Sequence, residues 1–149
     1  MPVALLDVNV LLALAWPNHI CHRAARKWFS AHRLDGWATC TLTQLGFVRL
    51  SSLEAVTKRP VTVQEAMRAL ATATTAPEHV FWGMDSSLVH IHPEIGARLM
   101  GHRQLVDALL LDLAIRNGGK LVTFDRRVEN LLPADSPHRD ALEILPIDD

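Results

Sequence analysis

Apolar and polar positions along this chain switch between two periods. Short apolar runs read as strands: Val3-Ala4-Leu5-Leu6, Trp37-Ala38-Thr39-Cys40, His79-Val80-Phe81-Trp82 and Lys120-Leu121-Val122-Thr123-Phe124, with a last one over residues 141–146. The first run has no polar interruption, the pattern of a strand buried on both faces. Helical periodicity occupies the intervals. Residues 10–15 form a first helix, closed by Pro17-Asn18. Residues 19–31 carry Ile20, Ala24, Ala25, Trp28 and Phe29 on one side and Arg23, Arg26 and Lys27 on another. Thr41 or Thr43 caps a helix that runs to about Leu53. Thr62 caps the next, over residues 63–74, with Glu65 at the capping-box position. A short helix follows Pro93, residues 105–117 form a longer one stopped by Gly118-Gly119, and residues 126–132 form a last short one. Strands alternating with helices predict an α/β domain with a mostly parallel sheet, one domain across residues 1–149.

Composition narrows the class. Of the 149 residues, 49 % are hydrophobic and 21 % charged, which is globular rather than disordered. The net charge of −1 provides no global basic field, so a nucleic-acid partner would have to meet a local patch. Two cysteines, Cys21 and Cys40, are too few for a disulfide scaffold, and a reducing cytoplasm is the expected location. The apolar start lacks a preceding Lys or Arg and contains Asp7 and Asn9, so it reads as structure rather than as a signal peptide. No apolar stretch reaches the length of a membrane span.

The candidate chemistry is acidic. Asp7 and Asp125 each directly follow a predicted strand, and in an open parallel sheet ligands bind beyond the carboxyl ends of the strands. Either residue alone also fits a turn former or helix cap. Asp107 is harder to explain that way. Its helix is apolar nearly all round, from Leu105 and Val106 through Ile115, which predicts burial. A carboxylate in its first turn suits the helix dipole but is costly to bury without a partner. A metal ion is one such partner; an arginine or a set of backbone N–H groups is the structural alternative. Asp112 lies about 140° further around the helix and faces elsewhere. Three carboxylates on one rim, with no required Cys or His, describe a site for Mg²⁺ or Mn²⁺. The matching chemistry is attack of metal-activated water on a phosphodiester.

These segments resemble PIN-domain ribonucleases, specifically the VapC toxins of type II toxin–antitoxin pairs. The resemblance rests on Leu5-Leu6-Asp7-Val8-Asn9, on Thr43-Gln44-Leu45-Gly46-Phe47-Val48-Arg49-Leu50, and on Phe81-Trp82 followed by Asp85. It continues through Gly101-His102-Arg103-Gln104-Leu105-Val106-Asp107-Ala108 and ends with Leu121-Val122-Thr123-Phe124-Asp125. It implies a three-layer α/β/α sandwich and a Mg²⁺-dependent endoribonuclease. It also implies a homodimer neutralised by a cognate VapB-type antitoxin. Asp7, Asp107 and Asp125 match the family's acidic positions, and Asn9 and Thr123 match residues that support them. Gln44 stands where many relatives have Glu. An amide adds no negative charge, which leaves open a second metal and the level of activity. Transfer RNA and ribosomal RNA loops are both compatible substrates.

Other features have simpler readings. Eight histidines invite a zinc or acid–base interpretation, but His19-x-x-His22 and His90-x-His92 lack a second ligand pair at zinc-finger spacing. A metal-free ribonuclease with two catalytic histidines leaves Asp107 unexplained; His102 is the histidine expected nearest the rim. Arg23, Arg26, Lys27 and Arg33 read as a solvated helix face, whereas Arg126 and Arg127, directly after Asp125, are placed to touch a phosphate backbone. Trp16, Trp28, Trp37 and Trp82 are expected to pack rather than stack on bases. Two further functions remain in view. One is a PIN-like binding or regulatory module with weakened catalysis, motivated by Gln44. The other is a receiver-like domain, which would want paired acids where Asp7 is followed by Val8 and Asn9.

Overall fold

A computed structural model describes residues 2–147. Five strands form one sheet: β1 (Ala4–Leu6), β2 (Trp37–Thr39), β3 (His79–Phe81), β4 (Lys120–Thr123) and β5 (Leu142–Ile144). Their spatial order is β3-β2-β1-β4-β5, and each neighbouring pair is parallel. Leu5 stands opposite both Ala38 and Leu121. The chain steps outward from β1 to β2 and β3, then crosses back to β4 and β5 on the other side. The order therefore reverses at β1, and such a reversal opens a crevice beyond the carboxyl ends of the central strands.

The period-two alternation of the strands divides the core into two layers. Leu5, Ala38 and Leu121 pack on one face with α7 (Leu105–Arg116) and with Ile95 of the short α6 (Pro93–Gly96). Ala4, Leu6, Trp37 and Val122 pack on the other face. That face is covered by α1 (Val8–Ala15), α2 (His22–His32), α3 (Thr41–Ser51) and α5 (Val63–Ala73). This is the α/β/α sandwich that the strand–helix alternation and the resemblance imply. Leu5, Leu6, Leu121 and Val122 are fully buried, and burial of one such side chain contributes about 1.5–3 kcal/mol.

Several local expectations change. Ile20 is 89 % exposed and precedes α2 rather than belonging to it. The His19 ring accepts from the Cys21 amide at 3.0 Å and holds that stretch as a turn. Cys40, not Thr41 or Thr43, occupies the N-cap of α3; Thr43 Oγ1 reaches back and accepts from the Cys40 amide at 2.9 Å. A helical turn that the sequence pattern does not reveal, α4 (Glu54–Thr57), follows, and Lys58 closes it at φ 64°. The helix carrying Asp107 is not buried all round. Leu105 and Val106 are 37 % and 50 % exposed in its first turn, and the interior burial begins at Ala108. No helix among the described residues is long and apolar enough to cross a membrane. Cys21 and Cys40 are buried free thiols.

The turn between α7 and β4 sets the height of β4 against β1. Gly118 takes φ +65° there, the left-handed conformation that ends the helix. Gly119 lies so close to β1 that a Cβ would come within 2.5 Å of the Val3 carbonyl oxygen and 2.6 Å of Trp82. Gly119→Ala should therefore lower unfolding stability by about 1–3 kcal/mol. Gly118→Ala meets no neighbour and should cost about 1–2 kcal/mol through backbone conformation alone. Chemical denaturation of both variants reads this, and an unchanged midpoint for Gly119→Ala would contradict the close approach.

Candidate metal centre

Each candidate carboxylate is placed by a different element. Asp7 leaves the end of β1 in extended conformation and caps α1, its Oδ1 accepting from the Val8 amide at 2.7 Å. Its own amide donates to the Val122 carbonyl at 3.0 Å, which ties the exit of β1 to β4. Asp125 follows β4 and caps the 3₁₀ turn Arg126–Leu131. Asp107 comes from the first turn of α7. Two strand ends and one helix start thus converge at the point where strand order reverses.

Thr123 connects the parts. Its buried hydroxyl donates to Asp7 Oδ2 at 2.7 Å and accepts from the Asn9 amide nitrogen and the Asp125 backbone N–H, each at 3.1 Å. Asn9 Oδ1 in turn accepts from the Phe124 amide at 3.3 Å. One hydroxyl therefore aims one carboxylate and fixes the backbone of a second, and Asn9 braces that hydroxyl from α1. Gln44 is directed elsewhere. Its amide donates to Thr39 Oγ1 at 3.0 Å, and Thr39 also pairs with His79 Nε2 at 2.8 Å. The sequence pattern offers no signal for this buried Thr39 hub at the end of β2.

The charges are not independent. Burial, foremost, and then the charges of Asp7 and Asp125 push the Asp107 carboxyl up to about 6. Burial also raises Asp7, partly offset by the Thr123 hydroxyl and the Val8 amide. Asp125 goes the other way, because the Arg127 guanidinium holds it below the usual carboxylate range. That pair is bidentate, with Nε to Oδ1 at 3.0 Å and Nη2 to Oδ2 at 2.9 Å. Arg127, expected on phosphate, thus rests on Asp125, while its side chain stays 79 % exposed. Arg126 is exposed.

This donor set fits a hard divalent cation. Among the described residues, Asp107 receives no stabilising hydrogen bond, and only a weak compensating effect comes from Arg127. A half-buried carboxylate raised by two others is what an oxygen-seeking cation relieves. The set is more open than a preformed cage. Among the described residues, the side chains whose ligand atoms all lie within 4.8 Å of one another are instead His92, Glu94 and His138.

Other candidates lie outside the centre. Asp112 is buried, accepting from the His92 amide at 2.9 Å and from Arg116 Nε at 2.7 Å, so it is structural as its helical phase implies. His102 is exposed in a 3₁₀ turn. All four tryptophans are buried, which leaves none as a base-stacking platform.

The Asp107 shift has a signed consequence. Folding raises this carboxyl above its usual 3.8, so the metal-free folded chain binds the proton more tightly than the unfolded chain. Its contribution to stability is complete below about pH 4 and is lost as pH rises through about 6. In EDTA, Asp107→Asn should match wild type near pH 4. At pH 8 it should melt higher by roughly 2–4 °C, the shift that about 1 kcal/mol produces in a chain of this size. A variant that melts lower at pH 8 would contradict the cost of burying this charge beside two others.

The PIN domain family model matches residues 4–131. Ribonuclease VapC39 of Mycobacterium tuberculosis is 42 % identical over 142 residues, covering 95 % of this chain and 99 % of the relative. Ribonuclease VapC38 of the same organism is 45 % identical over 129 residues, covering 87 % and 89 %. Ribonuclease VapC44 is 42 % identical over 125 residues, covering 84 % and 87 %. The chain belongs to the PIN-domain family, in the VapC branch that these mycobacterial ribonucleases represent.

Proposed function

We propose that this chain, as a single PIN domain, is a Mg²⁺-dependent endoribonuclease and the toxin of a type II toxin–antitoxin pair. The observation that carries the reading is the electrostatic coupling of Asp7, Asp107 and Asp125 at the reversal of strand order. These three carboxylates would hold the ion, and Mn²⁺ suits the same oxygens. When bound, the ion supplies positive charge to the scissile phosphate and acidity to a water. Thr123 and Asn9 keep Asp7 aimed. Arg127 guards Asp125 in the free protein; its exposed guanidinium can exchange that carboxylate for an RNA phosphate, with Arg126 beside it. A transfer RNA or ribosomal RNA loop is the substrate class this open rim accepts.

A separate surface suits the antitoxin. Between α1, α2, α3 and α5 runs a groove of about 690 Å³, with Leu14, Phe29, Phe47 and Leu70 on its walls and Arg26 and Arg68 among its lining. Trp37 also lines it, and its indole N–H is buried without an acceptor among the described residues. An acidic VapB-type segment with apolar side chains would complement both the apolar walls and these arginines. The exposed Leu45, Leu53 and Met67 around α3–α5 provide apolar surface for a homodimer. The free thiols of Cys21 and Cys40 suit a reducing cytoplasm.

A second reading, a PIN-like binding module with weakened catalysis, draws on Gln44, whose amide is committed to Thr39. One test separates the readings. Purified protein with Mg²⁺ should cleave structured RNA, and EDTA or Asp7→Asn should reduce the rate at least 100-fold. Cleavage that survives both would favour a histidine mechanism. RNA binding without cleavage, and without Mn²⁺ binding by calorimetry, would favour the module.

A further inference from the structure

Three metal-capable side chains meet on the α7 side of the sheet, on elements that the aspartate centre does not use. His92 precedes α6, Glu94 lies in its first turn, and His138 arrives from the turn before β5. One ligand atom of each lies within 4.8 Å of the other two. The two imidazoles meet edge to face, with ring centroids 4.6 Å apart. Sequence spacing shows only His90-x-His92; the third ligand comes from a distant loop and is delivered by the fold.

Each ligand is braced. The His92 amide donates to Asp112 Oδ1 at 2.9 Å, and Asp112 is itself held by Arg116. Glu94 Oε1 accepts from the buried Ser136 hydroxyl at 2.9 Å, and the same oxygen atom of Ser136 accepts from the His138 amide at 3.0 Å. Ser136 thus couples the carboxylate to the backbone of the second histidine. Such outer contacts are what fixes ligands around a metal. All three side chains are half-buried, so an ion would be reachable from solvent yet partly sheltered.

We propose that His92, Glu94 and His138 form a binding site for a borderline transition cation, Zn²⁺ foremost, with water as the fourth ligand. Two imidazoles and one carboxylate are the donors such an ion selects over Mg²⁺. Zinc bonds of about 2.0–2.1 Å in tetrahedral array want donors about 3.4 Å apart, so the side chains must close slightly. His92 Nδ1 now accepts from the Glu94 amide at 3.3 Å. That long contact is the weak one, and it gives way as the ring turns to ligate. The ion would clip α6 to the turn before β5.

The test uses the full chain with Mg²⁺ in excess, so that the aspartates are not open to the probe. Zn²⁺ titration should saturate at one ion per chain and raise the melting temperature. Co²⁺ should give the intense visible bands of a four-coordinate ion. His138→Gln should weaken Zn²⁺ binding at least tenfold and abolish those bands, Glu94→Gln should weaken binding too, and Asp7→Asn should leave both intact. Absence of saturable Zn²⁺ binding to the wild-type chain would overturn the proposal. So would binding undiminished by His138→Gln, which would place the ion elsewhere.

Discussion

The structure turns on a half-buried carboxylate crowded by two others. Burial, foremost, and then the nearby charges of Asp7 and Asp125 raise the carboxyl of Asp107 to about 6, although nothing in folding requires three carboxylates to share a rim. The chain tolerates this by giving two of them private partners. Asp7 has the Thr123 hydroxyl and the Val8 amide; Asp125 has Arg127. Asp107 is left with the residual cost. A site that is electrostatically strained when empty is one that a cation stabilises when it arrives.

The fold delivers this arrangement cheaply. A parallel sheet sends every strand's carboxyl end to one edge, and the reversal at β1 leaves room there. The Asp7 amide bonded to the Val122 carbonyl and the tight Gly119 turn against Val3 set β1 and β4 at matching heights. Thr123 then reaches Asp7 across the sheet, and α7 lowers Asp107 toward both. The groove proposed for a protein partner lies on the layer of α1, α2, α3 and α5, on the face of the sheet opposite α7 and its Asp107.

Much of this was legible in the chain itself. Asp7 and Asp125 announce themselves by directly following predicted strands, and Asp107 by being an acid among leucines. The roles of Asn9 and Thr123 emerge only through family resemblance, because a single Asn or Thr carries no periodic signal. Interactions between distant segments were not legible. The bidentate Arg127–Asp125 pair depends on rotamers, the Thr39 hub on strand register, and the meeting of His92 with His138 on how the last loop folds back. Helix starts shifted where side chains cap locally, as His19 and Thr43 do. The exposure of Leu105 and Val106 shows the limit of reading burial from composition, since a helix apolar all round can still project its first turn.

The central claim is that Asp107 is a carboxylate waiting for a cation. Carbon-detected NMR titration of the aspartate carboxyls, with and without Mg²⁺, observes it directly. Without Mg²⁺, Asp107 should titrate at about 6. With saturating Mg²⁺ its midpoint should fall below the ordinary aspartate value of about 3.9. A midpoint near 4 in both conditions, unmoved by the ion, would contradict the account.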